Sequence, residues 1–553
     1  MTTGTAASTT RPAVAPGEAG RGGGSALAGT GAMLRLALRR DRALVPAWVL
    51  GIAGMATFSA QATVGLYPDL AQRVQAAEAI NGSAALIALY GRIYDPTSLG
   101  ELSLFKMTAF GAAMVGVLMI ILVVRHTRAE EETGRLELVG STVIGRSAPL
   151  AAGLLLAAIA SLGIAVLTAG GLAMAGLPPA GSVAFGAAWG ATGLLFAAVG
   201  GIAAQLSVSA RGATGLGLIA LAVAYVARAV GDLAEAGPGW LSWLSPIGWS
   251  QQVRAFSGTR WELLVLPLVV TAVLAGLAFV LRSRRDLGAG LLADRPGPAE
   301  GRIASTWGLS LRLQRPSFLA WTVAAMLMGL VLGSVADSVS GFIDTPAMAE
   351  FLERLGGRQG LVDAFLAAEL GIIGSLVAAY GIVAAHWLHL EEEGGRAESV
   401  LATATPRRRW AISHAALALA GVAVLTVLVG LAIGVGHALS VGEPEQVWRL
   451  AIAATARIPA AWVMIGLAVA IWGFWPRLGG LVWVLFVAFL VMGEFGVLWD
   501  IPQWARNLSP FAHSPVVPGP DPEYLGIPVM ILIALGLVAL GIGRFTRRDV
   551  VSA

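Results

Sequence analysis

The sequence predicts an all-α polytopic membrane protein of about twelve transmembrane helices, built as two fused six-helix halves. Three observations carry that prediction. Of 553 residues, 56% are hydrophobic and only 13% charged, at a mean hydropathy of +0.76, whereas an average soluble domain carries about 25% charge. Apolar stretches of the ~20 residues needed to cross a hydrocarbon core recur along the whole chain. Four short motifs occur twice in the same order, separated by 273, 261, 264 and 263 positions. The composition excludes an ordinary water-soluble enzyme, a disordered chain and a short-period repeat. Without a single cysteine, disulfides, thiolate metal sites and cysteine nucleophiles are excluded too.

The predicted spans of the first half lie near 43–66, 104–124, 149–176, 183–206, 214–235 and 262–281. Those of the second half lie near 318–339, 369–388, 412–436, 450–474, 478–498 and 525–543. Residues 1–32, rich in Gly, Thr, Ala and Ser, read as a disordered cytoplasmic tail. The first half then covers 33–286, a Pro/Gly linker 287–306 and the second half 307–553. With both termini inside, 26 of the 37 basic residues fall on the cytoplasmic side, as retention of positive charge during insertion requires. The basic residues therefore mark membrane orientation rather than a nucleic-acid partner, despite a pI near 9.8. Six is an even number of crossings, so both halves insert the same way. They are expected to relate by a pseudo-two-fold axis along the membrane normal.

The repeated motifs are specific. Leu38-Arg39 through Trp48 matches Leu311-Arg312 through Trp321, a basic amphipathic segment leading into a span. Leu244-Ser245-Pro246 matches Leu508-Ser509-Pro510, and Arg284-Arg285-Asp286 matches Arg547-Arg548-Asp549. The sharpest is an acidic box after the second span of each half. Glu130, Glu131, Glu132, Gly134, Arg135 and Glu137 recur as Glu391, Glu392, Glu393, Gly395, Arg396 and Glu398. Carboxylates favour a helix start, and glycine permits a break before a second short helix. A solvated charged loop would explain one copy; recurrence at the same topological place points to a surface for a cytoplasmic partner.

Together these motifs resemble the permeases of ABC exporters, and more narrowly the actinobacterial polyketide-antibiotic and multidrug exporter permeases. The resemblance covers 33–553. It implies a type V exporter fold and a separate ATPase subunit in two copies, with ATP and Mg on that subunit and no cofactor in this chain. It further implies that the two boxes hold the ATPase-coupling elements, and that extracellular re-entrant helices occupy about 236–260 and 499–524. The external segments 67–103 and 340–368 are longer than a bare hairpin connection needs, a departure from that pattern. Segments 68–90 and 346–366 read as helices with polar breaks at Asn81-Gly82-Ser83 and Gly356-Gly357-Arg358.

No P-loop is present: the only lysine, Lys106, precedes Met107 and lacks the required glycine spacing. The glycine-rich run Gly212–Gly217 opens a span and reads as helix-packing chemistry. Arg228 and Asp232, four apart in the fifth span, read as a self-paired couple, since unpaired charges cost roughly 2.5–3.5 kcal/mol each at the bilayer centre. With Glu494 at nearly equivalent depth in the eleventh span, they are candidate contacts for an amphiphilic substrate; an Arg228–Glu494 structural pair is the competing expectation. Lys106 and Glu369 read as interfacial, and the tryptophans near span ends as an aromatic belt. His386, His389 and Glu391 approach metal-ligand spacing but are expected to be structural. The function expected is the permease of an ATP-driven exporter of hydrophobic compounds in a bacterial cell membrane. A proton-driven drug transporter titrating Asp232 or Glu494, and a non-transporting scaffold or sensor, are the alternatives.

Overall fold

The computed structural model describes residues 25–67, 69–140, 144–233, 239–292, 301, 303, 305–336, 357–494, 502–519 and 522–549. Among them regular structure is helical throughout. In hydrocarbon each backbone N–H and C=O must be satisfied within its own segment, and helices achieve this. In order, the helices of the first half are α1 (Thr30–Arg40), α2 (Leu44–Val64), α3 (Leu70–Asn81), α4 (Ala84–Tyr90), α5 (Leu99–His126), α6 (Arg128–Glu132) and α7 (Arg135–Gly140). They continue as α8 (Ala148–Met174), α9 (Pro179–Leu206), α10 (Ala210–Leu233), α11 (Trp240–Trp243), α12 (Pro246–Gln252) and α13 (Val265–Ser283). The second half holds α14 (Thr306–Val335), α15 (Gly357–Glu393), α16 (Arg396–Leu401), α17 (Arg407–Val441), α18 (Gln446–Thr455) and α19 (Ile458–Phe474). It ends with α20 (Leu481–Glu494), α21 (Gln503–Arg506) and α22 (Gly526–Phe545).

Eleven candidate spans among the described residues are long and apolar enough to cross a membrane. The chain is a multi-pass membrane protein. At the predicted eleventh position stands α20, of 14 residues, and the residues that follow it lie outside those described. Four expectations change in detail. The tenth span divides into α18 and α19, because Pro459 in the first turn of α19 cannot continue a helical ladder. Arg457 sits at that break and donates to the Ala367 carbonyl at 3.1 Å. The eighth span runs far beyond 369–388, as the 37-residue α15. Glu369 is therefore not at a helix start facing headgroups but inside α15 and only 4% exposed. Lys106, by contrast, is exposed beside the Phe105 ring. Order also begins before residue 33: Gly145 and Ser147 donate their backbone N–H groups to the carbonyls of Ala28 and Ala26.

Two compact units emerge, Met1–Pro68 with Ser98–Asp294, and Asp69–Thr97 with Arg295–Ala553. Residues 69–97 of the first half thus belong with the second unit. Within it α3 ends at Asn81 and α4 starts behind a Ser83 cap, the break falling where the polar triplet predicts it. The Asn81 amide closes the segment, donating to Ile93 O at 2.8 Å and accepting from Ile93 N at 2.9 Å. Residues 346–356 of the matching second-half segment lie outside the described ones.

Each unit packs through small residues that let backbones touch. In the first unit α9 lies against α8, and a Cβ on Gly186 would come within 2.3 Å of the Ala165 carbonyl oxygen. Gly217, from the glycine-rich run, makes room for the Ile120 side chain, whose Cγ2 would stand 2.6 Å from a Cβ there. In the second unit α19 and α22 cross reciprocally: a Cβ on Gly473 would lie 2.3 Å from Gly541 O, and one on Gly541 2.4 Å from Val469 O. Trp410, Trp472 and Phe545 fill the space beside this crossing, with Trp472 and Phe545 ring centroids 4.4 Å apart. Gly473→Leu should therefore destabilise the protein by at least the ~1–3 kcal/mol typical of overpacking, read as a lower unfolding midpoint in detergent. Gly536→Leu on α22, where nothing stands within 4 Å of a new Cβ, should leave the midpoint nearly unchanged.

Candidate functional site

Each acidic box is a helix–glycine–helix turn at the end of the second span. Gly134 and Gly395 hold φ of 70° and 67°, the left-handed region where glycine carries no Cβ penalty. That turn folds the second short helix back and lets successive glutamates face different partners.

In the first half, Glu131 is the hub. Its carboxylate pairs with Arg128 at 2.6 Å, Arg285 at 2.7 Å and Arg282 at 3.5 Å, and all four side chains are buried. Three guanidiniums around one carboxylate carry excess positive charge, which backbone and amide oxygens offset. Arg128 donates to Val208 O at 2.6 Å and to Gly288 O and Ala289 O at 2.9 Å. Arg285 donates to Gln205 Oε1 at 2.8 Å and to Ala289 O at 2.8 Å. The network stitches the box to the end of α13, the end of α9 and the start of the predicted linker. Around the hub, Glu130 pairs with Arg40 of α1 and more distantly with Arg135, at 3.6 Å. Glu132 accepts the Ala210 N–H at 2.7 Å, at the start of α10. Arg135 and Glu137 are exposed.

In the second half, Glu392 takes the hub position. Arg548 clamps it with two bonds of 2.6 Å, and Trp472 Nε1 donates to it at 2.9 Å. The Arg548 guanidinium lies over the rings of Trp472 and Phe545, 5.3 and 5.2 Å from their centroids, a geometry that suits a cation. Glu391 pairs with Arg396 at 2.9 Å, and Glu393 with His389 at 3.1 Å. Arg396, Glu398 and Glu393 are exposed. His386 packs against the His389 ring.

Sequence reasoning matched the acidic boxes and the Arg-Arg-Asp motifs between halves but did not pair them within a half. The structure does: Glu131 with Arg285, Glu392 with Arg548. A signal existed, since the two motifs repeat with nearly the same offset. The Leu-Ser-Pro motifs also have a common job. Ser245 donates to Ala224 O at 2.6 Å and Ser509 to Phe489 O at 2.9 Å, each fastening a short helix to the preceding span.

The intramembrane charges behave as a self-paired couple. Arg228 and Asp232 approach to 3.4 Å and are buried; Ser242 of α11 donates to Asp232, and the Arg228 guanidinium lies 4.5 Å from the Tyr225 ring centroid. The side chain of Glu494 lies outside the described residues. Of the six tryptophans expected in the belt, Trp240, Trp243, Trp261 and Trp504 are exposed near span ends, Trp249 is half-buried, and Trp499 lies outside the described residues.

Removing one partner of a buried pair leaves an uncompensated charge, at about 3–5 kcal/mol. Glu392→Ala should lower the unfolding free energy by that amount, and exposed Glu393→Ala by about 0.5 kcal/mol or less. Equal losses in a denaturant titration would show that Arg548 is not held as described.

The chain matches the family described as multidrug efflux system permease Rv1217c, C-terminal domain, over residues 31–281 and 303–546. Those two stretches coincide with the two repeats. It is 43% identical over 538 residues to the multidrug efflux system permease protein Rv1217c of Mycobacterium tuberculosis H37Rv, covering 95% of this chain and 96% of that protein. With both halves matched and near-complete coverage of a relative, the chain belongs to the multidrug efflux system permease family.

Proposed function

We propose that this chain is the membrane-spanning permease of an ATP-driven ABC exporter that expels hydrophobic or amphiphilic compounds, antibiotics among them, from a bacterial cell. In this reading twelve spans form two fused halves of the type V kind, with both termini cytoplasmic. ATP and Mg reside on a separate ATPase subunit, present in two copies and docked on the boxes; this chain is not itself an enzyme. Family membership supports the transport role. The observation that carries the coupling role is the same buried carboxylate–arginine clamp in both halves, joining box to sixth-span end.

The mechanism follows from that clamp. Exposed Arg135, Glu137, Glu393, Arg396 and Glu398 meet the ATPase, while the buried hubs Glu131 and Glu392 transmit its displacement. A box that moves must carry the end of α13 or α22 with it, because breaking the clamp strands a buried charge. ATP binding thus biases a two-state rearrangement of the spans. Arg228, Asp232 and Glu494 are assigned to the substrate pathway, where a charged group meets the polar end of an amphiphile. One observation favours a second reading, a proton-driven transporter. Glu369 is a buried carboxyl within a span, and neither of its oxygens has a hydrogen-bond partner among the described residues.

Reconstitution separates the readings. The chain in liposomes should be inert under a pH gradient alone and transport only with the ATPase subunit and ATP; transport on the gradient alone would favour the proton-driven alternative. Reversing both exposed charges, Glu137→Lys with Glu398→Lys, should cut drug-stimulated ATPase activity roughly tenfold, equivalent to about 1.4 kcal/mol of lost docking energy. Membrane insertion should be unaffected. Unchanged stimulation would remove the boxes from the coupling role.

A further inference from the structure

The halves differ at one equivalent place. The 273-residue offset of the basic segment maps Asp41 onto Gln314 and Arg42 onto Arg315. Asp41 is buried and paired, with His126 Nε2 at 2.6 Å and Arg125 at 3.0 Å. Gln314 is also buried, at 4% exposure, yet neither its amide nitrogen nor its oxygen has a hydrogen-bond partner among the described residues. Leaving such a group unsatisfied costs about 1–3 kcal/mol. Beside it is a half-open cavity of about 240 Å³ within the second unit. Gln314 and Arg315 line its end near the start of α14, and Phe318, Tyr380, Leu417 and Val424 line the rest. Gly421 makes room for the Tyr380 ring, since a Cβ there would stand 2.4 Å from the hydroxyl.

The lining selects a ligand. Phe318, Leu417 and Val424 offer nothing to a polar molecule and favour hydrocarbon. Arg315 is exposed, and a guanidinium is the preferred partner of a phosphate. The unpaired amide supplies one more donor at the same end. We propose that this cavity binds an anionic phospholipid, its phosphate on Arg315 and the Gln314 amide and the upper part of one acyl chain along Phe318, Tyr380, Leu417 and Val424. The lipid comes from the leaflet at the cytoplasmic end of α14, on the orientation proposed above. In the first half the corresponding position carries a carboxylate already paired with His126 and Arg125, so the site belongs to the second half.

The test is photolabelling, which needs neither transport nor ATPase and so fails independently of the exporter reading. The full chain in nanodiscs receives a trace of phosphatidylglycerol carrying a photoactivatable acyl chain, and crosslinked peptides are mapped by mass spectrometry. Crosslinks are expected on 311–318 and 417–424. Arg315→Gln should reduce them about fivefold by removing the charge-assisted contact, and Val424→Trp should do the same by filling the cavity. Arg42→Gln should leave them unchanged. The matching phosphatidylcholine probe should label weakly, and excess inorganic phosphate should not compete. Equal labelling by both lipids, full competition by phosphate, or undiminished labelling in both Arg315→Gln and Val424→Trp would overturn the proposal.

Discussion

A carboxylate taken out of water must be paired, and the architecture of each half turns on one that is. Glu131 and Glu392 are almost fully buried, at 4% and 1% side-chain exposure. An isolated charge in that position would cost several kcal/mol even after the protein relaxes. The chain meets the requirement by bringing the end of the sixth span back to the end of the second. The box is thereby fixed to the end of the sixth span and is not a loose connection. The left-handed glycine after it frees the outer glutamates to face other partners.

The same pair is embedded differently in the two halves. Glu131 draws in three arginines, and two of them, Arg128 and Arg285, also donate to carbonyls of Val208 and the linker and to the Gln205 side chain. Glu392 relies on one arginine, held over two aromatic rings and reinforced by an indole N–H. One half thus ties its box to several segments, the other to a single helix end and an aromatic cluster. A comparable divergence separates Asp41, ion-paired with His126 and Arg125, from Gln314, which lines a cavity. Duplication preserved the clamp while the surroundings specialised.

How much of this was legible in the sequence depended on the range of each interaction. Spans, the Asn81-Gly82-Ser83 break and the Arg228–Asp232 couple rest on residues within a few turns of each other, and the residue pattern exposed them. The Pro459 break was as local, yet hydropathy averaged across it. Glu369 was misplaced because α15 extends a dozen residues before it, through a mixed stretch that hydropathy alone does not join to the span. The clamps were missed because their partners lie 154 and 156 residues apart, a distance at which only the parallel repetition of both motifs offered a hint. The association of Asp69–Thr97 with the second unit had no sequence signal at all.

The most direct test of the coupling account uses the absence of cysteine, which allows two labels to be placed without background from this chain. Spin labels at Thr133→Cys and Ser399→Cys, both exposed positions in or beside the boxes, report the distance between the two boxes by pulsed electron resonance in the reconstituted permease–ATPase complex. The account predicts a shift to shorter distances when ATP is bound and trapped, and no shift without the ATPase subunit. An unchanged distance distribution while ATP is hydrolysed and drug is transported would contradict it.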